Sequence, residues 1–269
     1  MFDLSAYALR FLEYLVIMVL FGVPLFGWYG SRRSALADAL AGWSLMGVLL
    51  AGAVAGLVLT GLDVVFKTAG IMGMPLAEVD RASLGWYLLE TSAGRAAMAR
   101  GALLVALMFV LGWHRRRGKV ETAFPLGAML AGGALASLAW NGHAAAGEGL
   151  AGAVRLAAGI VHLLAAGGWI AAVLMFLAML LRGKETNGSG RLRSTHDFLH
   201  GFSTLGTIFV GALIVSGIAH YGDLTAWSFS ALFQSTYGKL LLFKLALFAG
   251  MLGLGALHRW TCLLYTSLM

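Results

Sequence analysis

The chain has 269 residues, 60% hydrophobic and only 12% charged, with a mean hydropathy of +0.85. That charged share is about half the usual soluble value, and a soluble domain of this length could not cover its surface with so few polar side chains. A net charge of +7 would suggest nucleic acid in a soluble protein, but here the bases sort by membrane loop, which explains the charge without that partner.

Seven apolar runs approach or reach the roughly 20 residues that a spanning helix needs. They are Phe11–Tyr29, Leu40–Leu62, Ala96–Trp113, Phe124–Gly142, Leu156–Leu181, Phe202–His220 and Lys239–Leu257. The expected fold is therefore an all-α polytopic transmembrane bundle forming one membrane domain over residues 1–269. The first run is long enough to span and has no small-residue cleavage site after it, so it is expected to stay in the chain. Glycine is abundant and proline scarce (37 and 3 residues), as suits helices packed through small faces. Gly52–Gly56, Gly132–Gly133 and Gly250–Gly253–Gly255 are candidate faces. Between spans two and three, Asp63 to Arg95 reads as a long external stretch, with a surface helix within Leu76–Glu90. Gly183–Ser194 reads as a flexible loop.

The basic residues alternate from loop to loop. Arg32 and Arg33 follow span one, Arg115, Arg116, Arg117 and Lys119 span three, Arg182, Lys184, Arg191 and Arg193 span five, and Arg259 span seven. The other loops hold half of the acids: Asp63, Glu78, Asp80, Glu90, Glu148 and Asp223. The positive-inside rule then places the N-terminus in the periplasm and the C-terminus in the cytoplasm of a bacterial inner membrane.

The sequence also repeats itself. Thr91-Ser92-Ala93-Gly94-Arg95, with Arg100 five residues on, opens span three; Ser235-Thr236-Tyr237-Gly238-Lys239, with Lys244 five residues on, opens span seven. Thr60-Gly61 near the end of span two matches Ser216-Gly217 near the end of span six. Tyr14 and Phe21 match His162 and Trp169 at the same spacing. The pattern predicts a tandem duplication of a four-helix unit, residues about 10–143 and about 155–259. Span four lacks a counterpart, so an eighth helix is expected, and the tail Trp260–Met269 reads as non-native.

Candidate chemistry rests on histidine. His114, His196, His200 and His258 fall at cytoplasmic ends beside Arg and Lys and read as interfacial. His143, His162 and His220 fall in the outer half, and an imidazole inside an apolar span is a functional candidate. Met72 and Met74 stand in an external Met-x-Met pair. Imidazole and thioether together suit copper, the thioether favouring Cu(I). A single cysteine, Cys262, excludes a Cys-x-x-Cys site and an internal disulfide. Arg100 and Lys244 lie inside spans, where they either snorkel to the interface or pair with Glu13, Glu90 or Asp63. No nucleotide loop, nucleophile elbow or His-Glu-x-x-His motif is present, so no enzyme activity is expected.

Taken together, several of these stretches resemble the copper-resistance D family. They are Gly142-His143-Ala144-Ala145; Val161-His162-Leu163-Leu164-Ala165-Ala166 with Trp169; Leu89-Glu90-Thr91 leading to Gly94-Arg95 and Arg100; and Tyr237-Gly238-Lys239-Leu240-Leu241-Leu242 leading to Lys244. The resemblance covers all seven spans and is best from span four onwards. It implies an inner-membrane protein of about eight helices, associated with copper uptake from the periplasm and often found beside a periplasmic copper-binding protein of the copper-resistance C type. It carries over His143, His162 and the surroundings of Trp169. One departure is Ala171-Ala172, where the family commonly has a Gly-Gly pair.

The resulting expectation is copper capture by His143 and His162, with His220, Met72 and Met74 as further candidate ligands, and inward movement of the ion. A rival reading is a b-type haem electron-transfer protein, with His162 and either His143 or His220 as axial ligands.

Overall fold

A computed structural model describes residues 2–30, 45–118, 120–141, 149–182, 188–225, 229–236, 238–250 and 253. Helices α1 (Phe2–Gly30), α2 (Leu45–Met72), α3 (Arg81–Glu90), α4 (Ser92–Arg117), α5 (Val120–Ser137), α6 (Gly149–Arg182), α7 (Gly188–Thr225) and α8 (Phe229–Gln234) follow in order. Residues 238–250 are also helical. Six stretches among the described residues are long and apolar enough to cross a membrane: Leu4–Tyr29, Leu45–Met72, Ser92–Arg117, Thr122–Asn141, Gly149–Leu177 and Thr204–Gly222. They match the first six expected spans. The seventh, Lys239–Leu257, lies partly outside the described residues, as does Cys262.

Two compact units divide the chain, Met1–Gly217 and Ile218–Met269. Within the first, α1 packs against α2, α5 and α6, while α4 packs against α2, α3 and α5. Ile17, Leu20 and Phe26 of α1, Leu104, Leu107 and Leu111 of α4, and Ala131, Ala134 and Leu135 of α5 form the centre of one core. The outward faces are apolar too, with Phe109 75% and Met129 74% exposed. Helices apolar all round are stable in lipid, where those faces meet acyl chains.

Helices α1 and α2 run antiparallel in one register. Arg10 meets Asp63, Glu13 meets Thr60, and Ile17 lies beside Gly56. One turn further, Leu20 presses on Gly52. The Gly52–Gly56 face is thus a seat for α1. Gly22 is tighter still: a Cβ there would lie 2.1 Å from the Cβ of Ala171 on α6 and 2.8 Å from the Gly167 carbonyl oxygen. Helix α1 accommodates the Ala171 methyl with a residue that has no side chain.

Three expectations need correction. First, α2 does not stop at Leu62 but continues to Met72, because nothing between these residues breaks a helix; Gly73, with φ of +66°, ends it. Asp63 is therefore an interior helical residue, 2% exposed, rather than the start of a loop. Second, α6 begins at Gly149, seven residues before Leu156, so Arg155 is inside the helix and His162 lies close to the middle of the Gly149–Leu177 stretch. Third, α7 begins at Gly188, so residues 188–194 of the expected loop are helical.

The stretch between α2 and α4 has a defined build. Asp80 caps α3 by accepting from the Ser83 N–H at 2.8 Å, and Ser83 Oγ accepts from the Asp80 N–H at 3.1 Å. At the α3–α4 corner, Thr91 Oγ1 accepts from the Gly94 N–H at 2.9 Å and the Thr91 carbonyl accepts from Arg95 N–H at 3.1 Å. Gly94 is required there, since a Cβ would lie 2.0 Å from the Tyr87 carbonyl oxygen. In the second unit, Ser235 makes the same two bonds, to Gly238 N–H at 2.9 Å and Lys239 N–H at 3.1 Å.

Candidate functional site

His162 and its surroundings come from α6 and α7. Along α6 the ring stands near mid-span and is half-buried. Its Nδ1 lies 2.9 Å from Oγ of Ser216 on α7. Ser216 is 3% exposed, and its hydroxyl also reaches back to the Ala212 carbonyl oxygen at 2.5 Å. Nothing in the sequence singled out Ser216 as the partner of His162; it appeared only as the counterpart of Thr60 in the repeat. Trp169, two turns after His162, is half-buried.

His143 lies outside the described residues. His220 is half-buried on α7 and belongs to the second unit. Met72 is the last residue of α2 and 37% exposed, and Met74 is half-buried just beyond the turn. Among the described residues, no three or more of His, Cys, Asp and Glu gather where they could hold a metal ion. The side chains of His196 and His200, and all of His258, are not among those described. His114 sits in the basic last turn of α4, its Nδ1 2.9 Å from the Val110 carbonyl oxygen.

A second polar cluster joins α1, α2 and α4. Glu13 Oε1 is 3.1 Å from Arg100 Nε, and both side chains are wholly buried. Thr60 Oγ1 bridges them, donating to Glu13 Oε1 at 2.9 Å and accepting from Arg100 Nε–H at 3.2 Å. One turn along α2, Asp63 pairs with Lys67 and lies 3.8 Å from Arg10 Nε. Thr60, Asp63 and Lys67 recur at three and four residues and so form one polar stripe on an apolar helix. That spacing was the available sequence signal, hidden by the expectation that α2 ends at Leu62. Arg100 therefore pairs rather than snorkels, whereas Lys244 in the second unit is exposed.

The electrostatics of this cluster argue against a cation site. Two buried carboxylates, Glu13 and Asp63, face two buried bases, Arg100 and Lys67. Charge is already matched, and a metal ion would have to displace a guanidinium or ammonium to reach either carboxylate. Tyr14, next to Glu13, donates to the Leu138 carbonyl oxygen at 3.3 Å and ties α1 to the end of α5. Outside the spans, burial and the nearby Asp63 push the Tyr87 phenol up to about 12.

Comparison with known proteins agrees with this architecture. A family model described as the N-terminal domain of copper resistance protein D-like proteins matches residues 1–153, and one described as copper resistance protein D matches residues 196–266. The copper resistance protein D of Pseudomonas syringae pv. tomato is 35% identical over 261 residues, which cover 96% of this chain and 82% of the relative. The copper transport protein CutJ of Bacillus subtilis (strain 168) is 27% identical over 214 residues, 75% of this chain but only 38% of that longer protein. No solved structure matches. The chain is a multi-pass membrane protein that belongs to the copper resistance protein D family.

Proposed function

We propose that this protein carries copper across the inner membrane, from the periplasm towards the cytoplasm, with His162 as a station within the bilayer. The observation that carries the reading is the position of His162, an imidazole near the middle of an apolar span, held by a buried serine on the neighbouring helix. Intramembrane imidazoles mark ion pathways, and transporter substrate sites lie near the midplane. Family membership supplies the ion. His143, and then Met72, Met74 and His220, are the proposed donors on the outer side, where a periplasmic copper-binding protein of the copper-resistance C type would deliver it. Imidazole accepts either oxidation state of copper, and thioether favours Cu(I).

The duplication belongs to the same reading. The matching caps at Thr91–Gly94 and Ser235–Gly238 support it, as does the shared use of a hydroxyl on the second helix of each half, Thr60 on Glu13 and Ser216 on His162. The first half then has a charge-matched cluster where the second has a metal-ligating group.

The deciding experiment is metal and haem analysis of the purified full chain in nanodiscs, alongside His162→Ala and His143→Ala, with copper uptake into cells expressing each. Copper bound by the parent chain and lost on replacing His162, with reduced uptake, supports the reading. A Soret band without bound copper selects haem electron transfer instead. Copper binding and uptake unchanged in His162→Ala overturn it.

A further inference from the structure

Ser216 has one hydroxyl proton and three neighbours placed to take it: His162 Nδ1 and the carbonyl oxygens of Ala212 and, at 3.3 Å, Leu213. The Ala212 carbonyl oxygen lies 2.5 Å from Oγ. Two oxygens at that separation are tolerable only with a proton between them, so the hydroxyl donates to its own helix. Oγ then offers a lone pair to His162 Nδ1 at 2.9 Å, and Nδ1 must carry a hydrogen to use it. A neutral imidazole protonated at Nδ1 has its lone pair on Nε2, the ring nitrogen further from the backbone. Ser216 is also anchored: it is 3% exposed, and a helix rather than a loop carries it.

We propose that Ser216 is a positioning residue for the copper station, fixing His162 in the Nδ1–H tautomer and presenting Nε2 as the metal-binding nitrogen. This rests on the reading that His162 takes copper. The hydroxyl acts as the outer partner of a ligating histidine, which orients the ring and holds its tautomer. In Ser216→Ala the ring loses its hydrogen bond at Nδ1, and the tautomer is no longer dictated from that nitrogen.

The test uses full-length protein in nanodiscs with ¹⁵N-labelled histidine, the His162 resonances being assigned by their loss in His162→Ala. In the metal-free parent chain His162 should show the Nδ1–H pattern. Ser216→Ala should shift it towards Nε2–H or a mixture, and Ser216→Thr, which restores the hydroxyl, should restore the pattern. Cu(I) affinity should fall about 10–100-fold in Ser216→Ala and recover in Ser216→Thr. An Nε2–H pattern in the parent, or no change in Ser216→Ala, overturns the proposal whatever the affinity does. A shifted tautomer with unchanged affinity overturns the positioning role. Should His162→Ala itself leave copper affinity intact, the copper station fails, while the metal-free spectra still decide whether Ser216 governs the ring.

Discussion

Glu13 and Arg100 meet at 3.1 Å on helices α1 and α4, and neither side chain reaches the surface. A charge left alone in that setting is far more costly than the pair is beneficial. Glu13→Ala and Arg100→Ala should each destabilise the chain by about 3–5 kcal/mol, read from unfolding in mixed micelles. Glu13→Leu combined with Arg100→Leu should lose much less than the sum of the two single changes. Additive losses would show that the pair is not coupled.

The contact of Gly22 with α6 predicts a rescue. Gly22→Ala places a methyl 2.1 Å from Ala171 Cβ and should lower the thermal midpoint and raise aggregation in detergent. Ala171→Gly in that background should recover part of the loss. Recovery should be incomplete, because the Gly167 carbonyl oxygen at 2.8 Å remains. A Gly22→Ala protein as stable as the parent would show that α1 and α6 do not approach this closely.

Helix α3 should respond to acid. Hydrogen bonds from Ser83 hold the Asp80 carboxyl below its ordinary value. A folded value below the unfolded one gives stability that is present above the unfolded value and lost as pH falls through the folded one. Amide exchange over residues 81–90 should therefore accelerate, after correction for intrinsic rates, as pH drops below about 4. Asp80→Ala should exchange faster at neutral pH and lose this acid dependence. An unchanged profile in Asp80→Ala would remove the cap from the account.

Membrane orientation is testable by cysteine labelling in a Cys262→Ser background. Reagent applied from outside should mark Glu78→Cys and Gly147→Cys and miss Arg116→Cys and Gly190→Cys. The reverse pattern would invert the topology and the proposed direction of copper entry.

Much of the architecture was legible because a bilayer demands long apolar runs, and six of them correspond to helices in the structure. The ends were harder. Asp63 and Lys67 looked like loop residues because an isolated charge is costly in lipid; paired within one helix, they are tolerated. Arg100 had two reasonable fates at the same sequence position, and only the antiparallel register of α1 and α2, which brings Thr60 to Glu13, selects the pair. His162 was visible as a polar residue in an apolar run. Its partner was not, because a serine in a membrane helix usually satisfies itself on its own backbone, as Ser216 also does.

The register of α1 on α2 limits how this half of the molecule can move. Sliding α1 by one turn, about 5.4 Å, would put Glu13 opposite Gly56 and take its carboxylate away from Arg100. The same slide would lift Leu20 off Gly52 and bring Ile17 there, while the opposite slide would drive Ile17 into the polar layer at Thr60. Every contact along the seam opposes a piston stroke, whichever way it runs. Helices α1, α2 and α4 are consequently built as a stator: they can rock together as one body, and in the proposed transport cycle the stroke would come from elements packed against them.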